Sequence, residues 1–231
     1  MNIRRTAIVT FVTIAGITAA QEAQAQLAVP MQGPSVERAG AFTLVPTIGL
    51  LSESSVTSLA LFARGRYSLM ERLSLSGRLG VLVGDYDGFG FGVDAKFQIL
   101  KDSPSVPLDL SVFGVLDFGV GDATLITMMG GVLVGKTIPA GDLKIGPYGG
   151  LGVGFGHISA GRGGNTDPGV GFIMGCNFGI NNTISAFTEL DIGLEAYNLL
   201  SWHAGVSISL GGVESSPTPA VEPEVTTEVS G

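Results

Sequence analysis

The stretch WHAGVSISLG, residues 202–211, alternates apolar residues with small or polar ones at a period of two. Side chains alternate across a β-strand, so this period predicts a strand with two chemically different faces. The polar face carries histidine, serine and glycine. The apolar face carries Trp202, Ala204, Val206, Ile208 and Leu210. A strand of this kind separates an apolar environment from a polar one.

The same alternation recurs throughout residues 39–213 and predicts ten strands. Turn-forming Asp, Asn, Gly and Pro residues separate them. Each strand has ten or more residues, which matches a tilted crossing of a bilayer. We expect Pro46 and Pro147 to interrupt their strands, because proline cannot donate to the ladder. The predicted strands span residues 39–51, 57–69, 72–84, 88–100, 107–120, 124–138, 142–157, 169–180, 183–195 and 201–212.

The composition favours a membrane protein that crosses with strands. Only 14% of the 231 residues are charged, and 36 are glycine. No apolar run outside the N-terminal leader reaches the roughly 18–20 residues of a membrane helix. A closed β-barrel is the other structure that pairs every backbone group within lipid. We therefore predict an all-β fold, a transmembrane antiparallel up-and-down β-barrel of ten strands, or of eight if a weak pair does not form.

Three segments flank the predicted barrel. Residues 1–25 have the basic start, the apolar run and the Ala23-Gln24-Ala25 site of a cleaved signal peptide. Residues 26–38 are expected to be an N-terminal periplasmic segment, because an even strand count puts both termini on the periplasmic side. Residues 214–231 predict a disordered, acidic, Pro-rich tail, which leaves a periplasmic contact open. The predicted localisation is the bacterial outer membrane, after export through the signal peptide.

Charge and motif content exclude several classes of partner. The formal net charge of −8 argues against nucleic acid. No P-loop, zinc-ligand spacing or dinucleotide fingerprint is present, so we expect no cofactor and no metal. The single cysteine, Cys176, falls on the apolar face of its strand and is interpreted as a small hydrophobe. The expected partners are outer-membrane lipid and lipopolysaccharide, and the oligomeric state stays open.

The apolar face of the ten strands is nearly free of charge. If that face points outward, Lys136 is the only Lys, Arg, Asp or Glu on it. Its large aromatic residues fall near strand ends, where a lipid interface favours them. A soluble barrel that encloses an apolar ligand is the alternative. The predicted membrane-girdle residues are Phe42, Tyr67, Phe89, Phe97, Phe118, Phe155, Phe172, Phe178 and Trp202.

The polar face collects equal numbers of basic and acidic residues. Buried charge is costly unless it is paired, so this balance predicts ion pairs across a narrow interior. Ten strands are too few for a wide diffusion pore, which uses about 16–18. The charged set is therefore either a structural plug or a narrow, gated polar path. The predicted lumen charge network consists of Arg64, Arg66, Arg72, Arg78, Asp94, Lys96, Asp109, Asp117, Lys144, Glu189, Asp191 and Glu195.

Over residues 39–213 the chain resembles the small bacterial outer-membrane β-barrel proteins of the OmpA-like transmembrane type. The shared features are the leader, the alternation, the girdles and a final amphipathic strand that ends near Leu210. That strand lacks the usual terminal aromatic residue, and residues 214–231 follow it. The resemblance implies the fold and the location. The first function hypothesis is an integral barrel with an envelope-structural role and narrow-pore solute passage, without enzymatic activity.

The region 156–169 contains the one enzyme-like motif. His157 and Ser159 are two residues apart and share a strand face, as an activated hydroxyl nucleophile requires. The motif resembles that of the outer-membrane lipid A deacylases, and the resemblance implies Ser159 as the nucleophile and His157 as the base. That family adds an acidic residue on the next strand, and the predicted strand 169–180 has none. A lipid A acyl hydrolase is therefore the alternative function.

Overall fold

The computed structural model describes residues 30–53, 56–85, 87–121, 124–160, 163–195 and 200–211. The predicted signal peptide, residues 1–25, and the predicted acidic tail, residues 214–231, lie outside the described residues. Within the described ranges the regular secondary structure consists of strands, without a helix, as the alternation predicts. No helix in these ranges is long and apolar enough to cross a membrane.

Eleven strands form in the described part of the chain. Most boundaries lie within three residues of the prediction. The largest difference is in the predicted strand 169–180, which begins at Gly163 in the structure. The strands are β1 (Phe42–Glu53), β2 (Val56–Met70), β3 (Leu73–Gly84), β4 (Gly88–Leu100), β5 (Asp109–Gly121), β6 (Thr124–Gly135), β7 (Ile138–Ala140), β8 (Leu143–Ala160), β9 (Gly163–Gly179), β10 (Ile184–Glu195) and β11 (Leu200–Leu210).

The strands close into one antiparallel barrel. Apart from the short β7, strands that follow each other in the chain pair with each other, and β1 pairs with β11 to complete the ring, with Phe42 opposite Leu210. The three-residue β7 pairs only with β8, because β6 pairs directly with β8 and bypasses it. Ten strands therefore enclose the lumen. This confirms the prediction of an up-and-down barrel of ten strands rather than eight.

The apolar face points outward, which the alternation alone does not decide. Leu79 on β3 and Val153 on β8 are 57% and 58% exposed on the outer wall. Arg78, the neighbour of Leu79 in the chain, is buried inside the barrel. An apolar outside around a charged inside is the arrangement of a transmembrane barrel. It is the reverse of a soluble barrel that encloses an apolar ligand.

The strand ends define two ends of the barrel, which differ in what they carry. The end where β1 begins and β11 stops, here called the terminal end, also carries the β2–β3 turn at residues 71–72 and the β9–β10 turn at residues 180–183. The opposite end carries the connections from β1 to β2, from β3 to β4 and from β8 to β9. The segment that precedes β1 therefore reaches the lumen from the terminal end.

Neither predicted proline interruption occurs. β1 continues through Pro46, which lies opposite Ala63 on β2, although the ladder to β11 omits Val45 and Pro46. β8 continues through Pro147, which lies opposite Cys176 on β9. Proline has no N–H to donate, so it can occupy a strand where the neighbouring strand on that side takes no hydrogen bond from this position. The wall loses pairing on one side only.

The β8–β9 hairpin and the end of β6 also differ from expectation. Residues 158–168, which separate two predicted strands, are largely strand, since pairing continues to Ala160 opposite Gly163. β6 stops at Gly135 rather than at residue 138, so Lys136 lies beyond the strand. The one charge expected on the outer face is therefore absent from the lipid-facing wall, and it lines a cavity at the terminal end instead.

Candidate functional site in the barrel lumen

Residues 30–37, here called the plug segment, run inside the barrel. We expected residues 26–38 in the periplasm, but the described part of that range up to Glu37 lies in the lumen, because buried wall groups bind its backbone. The segment enters at the terminal end, where Ser209 Oγ donates to Glu37 Oε2 at 3.0 Å. It reaches the middle of the wall, where Arg64 Nη1 donates to the Pro30 carbonyl at 2.6 Å.

Glu189 on β10 binds two backbone N–H groups of the plug segment. Its Oε1 accepts from Met31 N at 2.6 Å, and its Oε2 accepts from Gln32 N at 2.9 Å. Successive N–H groups that converge on one anion form a nest, and Gln32 has a positive φ of 59°, as a nest residue can. Tyr148 Oη donates to the same carboxylate at 2.6 Å. Three donors thus offset the cost of burying Glu189.

Lys96 and Asn177 bind the carbonyl groups of the same residues. Lys96 Nζ donates to Gly33 O at 2.6 Å and to Met31 O at 3.4 Å. Asn177 Nδ2 donates to Gln32 O at 3.0 Å. Together with the bond to the first carbonyl described above, four consecutive carbonyls of the plug segment receive donors from the wall. The backbone is therefore held on both its N–H and its carbonyl side.

The Met31 side chain is the apolar anchor of the plug segment. It is fully buried. Burying its methylene groups and sulfur away from water is favourable, so the Met31 side chain adds apolar stabilisation to a largely polar site. Its neighbours in the buried apolar cluster come from β5, β6, β8 and β9 and are Phe113, Val115, Leu133, Tyr148 and Ile173.

We expect Met31→Ala to lower the free energy of unfolding by about 2–5 kcal/mol, because it leaves a cavity that packed strands cannot fill. Met70→Ala is the matched control, since Met70 is 52% exposed at the end of β2. We expect it to change stability by less than about 0.5 kcal/mol. Urea unfolding in detergent micelles measures both variants, and equal losses would contradict the anchoring role.

At the terminal mouth the plug segment bonds to β4 and β5. Ser35 Oγ donates to Asp109 Oδ2 at 3.0 Å, and Val36 N donates to Gln98 Oε1 at 3.3 Å. Gln98 Nε2 in turn donates to Asp109 Oδ1 at 2.6 Å. Asp109, predicted as a lumen charge, therefore lies in the lumen and binds the plug segment rather than a cation.

Four of the predicted lumen charges form one buried ion-pair network. Arg64 Nη2 lies 2.6 Å from Asp94 Oδ1, and Arg78 Nη1 lies 2.9 Å from Asp94 Oδ2. Arg78 also bonds Asp117 with two guanidinium nitrogens, of which Nε lies 2.8 Å from Oδ1. A bidentate pair of this kind is the strongest arrangement of these groups. The network ties together the four adjacent strands β2, β3, β4 and β5 on one side of the lumen.

Arg66 and Lys96 are buried cations without such a partner. Among the described residues, neither forms a salt bridge. Arg66 Nη2 donates to Gln32 Oε1 at 2.6 Å, and Lys96 donates to the carbonyls described above. Both cations therefore depend on the plug segment for the hydrogen bonds that satisfy them.

The remaining predicted lumen charges do not join these contacts. Arg72 lies in the β2–β3 turn and is exposed, because β2 continues to Met70, and its Nη1 donates to Ile99 O at 3.4 Å. Lys144 is exposed at the terminal mouth. The side chain of Glu195 lies outside the described residues. Placing residues by strand parity alone fails at strand ends, where the wall no longer encloses them.

Asp191 on β10 forms a polar cluster with two residues of β11. His203 Nε2 lies 3.5 Å from Asp191 Oδ2 and 3.1 Å from Ser201 Oγ. Ser201 Oγ also donates to Asp191 Oδ2 at 3.4 Å. A nucleophilic relay needs the acid and the hydroxyl on different ring nitrogens. Here one nitrogen faces both, so the cluster is a set of shared hydrogen bonds and not a catalytic triad.

Inward-facing glycines on β8 make room for side chains from the neighbouring strand. A methyl group at Gly152 would lie 2.8 Å from Met129 Sδ, and one at Gly150 would lie 2.5 Å from Leu133 Cδ2. Contacts that short require the neighbour to move. The interior beside the plug segment is therefore packed rather than open at these positions.

The predicted girdle residues all lie on the lipid-facing parity of their strands. Phe42 and Tyr67 are cross-strand partners at the terminal end. Phe118 stacks on Phe91, with ring centroids 5.1 Å apart, towards the opposite end. Phe172 lies near the middle of its strand, because β9 begins at Gly163. The others are Phe97 and Phe178 towards the terminal end, and Phe89, Phe155 and Trp202 towards the opposite end.

His157 and Ser159 point to the outer face of the β8–β9 hairpin. His157 Nδ1 lies 2.7 Å from Thr166 Oγ1, so a hydroxyl stands where a relay would need a carboxylate. Within the described residues, no hydrogen bond joins His157 to Ser159. The geometry brings the two residues to one face but does not assemble an acid, a histidine and a serine.

A cavity of about 220 Å³ lies at the terminal mouth, between the plug segment and the strands β8 and β9. Lys136, Lys144 and Asn177 line it. Among the described residues, no group of three His, Cys, Asp or Glu side chains is placed to hold a metal ion. Of the described residues that line the cavity, Glu37 and Asp109 are acidic, and they already accept hydrogen bonds from Ser209 and Ser35.

Sequence reasoning missed the plug segment and several of the residues that hold it. Gln98, Tyr148 and Asn177 are large polar or aromatic residues on the inward parity, which a search for charges alone passes over. The segment itself gives a weaker signal, since Pro30 and Pro34 bracket a short stretch without strand alternation. Nothing in that stretch distinguishes a lumenal segment from a linker.

No protein-family model matches this chain. A search of curated proteins found no match either. Solved structures with a similar architecture include outer-membrane proteins. The N-terminal β-barrel domain of Pseudomonas aeruginosa OprF is 14% identical, with a TM-score of 0.38 over 75% of this chain and 100% of that domain.

Two further structures have the same level of identity. The β-domain of the Bordetella autotransporter BrkA is 14% identical, with a TM-score of 0.49 over 74% of this chain and 100% of that one. An outer-membrane channel from Pseudomonas putida F1 is 14% identical, with a TM-score of 0.45 over 79% of this chain and 100% of that one. By its own geometry, the chain is a closed antiparallel β-barrel of ten strands with an apolar outer wall.

Proposed function

We propose that this protein is an integral β-barrel of the bacterial outer membrane with an envelope-structural role, and that its own N-terminal segment closes the lumen to solutes. The terminal end faces the periplasm in this proposal, because single-chain bacterial barrels keep both termini there. The outer wall contacts lipid and lipopolysaccharide. The exposed apolar wall around a buried ionic interior supports the membrane assignment.

The observation that carries the proposal is the set of contacts between the plug segment and the wall. Met31 is fully buried, and Glu189 is 1% exposed. Water-filled pores instead leave their wall charges in contact with solvent. A segment held by wall groups from β2, β4, β9 and β10 occupies the middle of the lumen. We therefore favour a closed barrel over a constitutive solute path.

Membrane fractionation tests the location. We expect the native chain to stay in the membrane after carbonate washing and to migrate differently on gels when it is heated. Leu79→Arg on the outer wall should reduce the inserted fraction, because a midplane arginine facing lipid costs about 2–4 kcal/mol. Glu71→Arg in the exposed β2–β3 turn is the matched control and should insert normally. Release of the native chain by carbonate would overturn the assignment.

Planar bilayers test the closure. We expect the folded native chain to give no steady current, because the plug segment blocks the lumen. A steady current through the native barrel would leave the membrane assignment intact and overturn the closure. The two measurements therefore separate the two parts of the proposed function.

A further inference from the structure

We infer that the lumen is a peptide-binding site of which residues 30–37 are the resident ligand, so that a barrel lacking them would bind the same sequence as a separate peptide. This inference rests on the proposed closed barrel, and it adds what the closing site recognises. The ligand class is a short peptide with a tight turn, a long apolar side chain and a glycine.

The wall recognises peptide backbone from several directions. Glu189 on β10 accepts two N–H groups, whereas Arg64 on β2, Lys96 on β4 and Asn177 on β9 donate to carbonyls. Three of the four wall groups are charged, and hydrogen bonds to charged groups are about twice as strong as neutral ones. Such a convergent set of donors and acceptors, matched to one short backbone, is what a peptide-binding site requires.

Two positions of the segment restrict which peptides fit. Position 31 enters the apolar cluster and needs a long, flexible side chain such as methionine. Position 33 has φ +78°, and a Cβ there would lie 2.9 Å from Asn177 Nδ2 and 3.1 Å from Tyr148 Cδ1. A glycine two residues after the apolar side chain is therefore required. The site reads an apolar-X-Gly turn.

The segment is connected to β1, and this connection substitutes for intrinsic affinity. A short linker gives an effective concentration in the mM range, so even a weak peptide site stays occupied. A free peptide loses that advantage. Peptide concentrations must therefore reach the mM range before an absence of binding counts against the site.

The test uses the barrel with residues 30–36 deleted, refolded in micelles, and a fluorescent peptide of residues 29–38, VPMQGPSVER. We expect saturable binding by fluorescence anisotropy, and at least ~10-fold weaker binding for peptides with Met31→Asp or Gly33→Val. Glu189→Ala in the deleted barrel should weaken binding to a similar degree. The native barrel should bind less, because its site is filled. Equal binding of all peptides, or no binding to a folded deleted barrel, would overturn the inference.

A second measurement covers the case in which the deleted barrel does not fold. In the full chain, Cys176→Ser removes the single cysteine, and Gln32→Cys places a thiol in the plug segment. We expect slow reaction with a hydrophilic maleimide, and at least ~10-fold faster reaction when excess free peptide competes for the site. The Met31→Asp peptide should have no effect. An unchanged rate with both peptides would overturn the inference, whereas the absence of current through the native barrel would still stand.

Discussion

Deleting residues 30–36 should convert a silent barrel into a conducting one. The plug segment occupies the lumen at the level of Arg64, Lys96 and Glu189, and no strand lies there to replace it. A ten-strand barrel is wider than the eight-strand barrels whose interiors side chains fill. In planar bilayers we expect a steady current at least ~10-fold above the native mean.

The open lumen should prefer anions. Removing the segment frees the cations Arg66 and Lys96 and the anion Glu189 in the middle of the lumen, whereas Asp109 at the mouth loses Ser35 but keeps its hydrogen bond from Gln98. Rings of Arg or Lys favour anion passage. Lys96→Met in the deleted barrel should therefore lower the preference for chloride over potassium. Reversal potentials under a salt gradient measure the preference, and an unchanged value would contradict the assignment of Lys96 to the path.

The matched control deletes seven residues, 222–228, from the other flank of the barrel. We expect that variant to stay silent. Heat-modifiable migration should first establish that both deleted chains are folded. A folded barrel without residues 30–36 that passes no current would show that the segment is not what closes the lumen.

Arg78→Ala should destabilise the barrel by about 3–5 kcal/mol, because it removes one side of a buried ionic contact and leaves the other buried. Arg78 bonds both Asp94 and Asp117, and all three side chains are at most 3% exposed. Arg72→Ala is the control, since Arg72 lies exposed in the β2–β3 turn. It should change stability by less than about 0.5 kcal/mol.

Urea unfolding in lipid vesicles measures both variants through the fluorescence of Trp202, the single tryptophan, which lies on the lipid-facing wall. Arg78→Ala combined with Asp117→Ala should recover part of the loss, because the double variant no longer buries an unpaired carboxylate. Additive losses for the pair, or a loss below about 1 kcal/mol for Arg78→Ala, would contradict the network's role.

The architecture follows from sequence because its cause is local. Each strand carries its own alternation, so β4, predicted at residues 88–100, forms between Gly88 and Leu100. Within a strand, the same alternation also determines whether a charged side chain points into the lumen or outward. Parity ceases to apply where the strand ends, which is why Arg72 lies in a turn and Lys136 lies at a cavity.

The lumenal site was not predictable in the same way, because its cause is not local. The segment around Met31 lacks alternation, and its position depends on Glu189, which is 158 residues away in the chain. Only the closed ring brings Lys96 on β4 to face Asn177 and Glu189, which lie on the adjacent strands β9 and β10. Balanced charges predicted a filled interior, yet two of the cations are satisfied by the plug segment rather than by carboxylates: Lys96 by backbone carbonyls and Arg66 by the side-chain oxygen of Gln32.

The seam between β1 and β11 has a consequence for the order of folding. It joins the first strand to the last, Phe42 to Leu210, so its loop-closure entropy cost is the largest of any strand pair in the ring. Glu37 accepts hydrogen bonds from Thr43 on one side of this seam and from Ser209 on the other. We therefore expect the N-terminal residues to be laid against an open sheet and enclosed as the last pair of strands zips, rather than threaded into a finished ring.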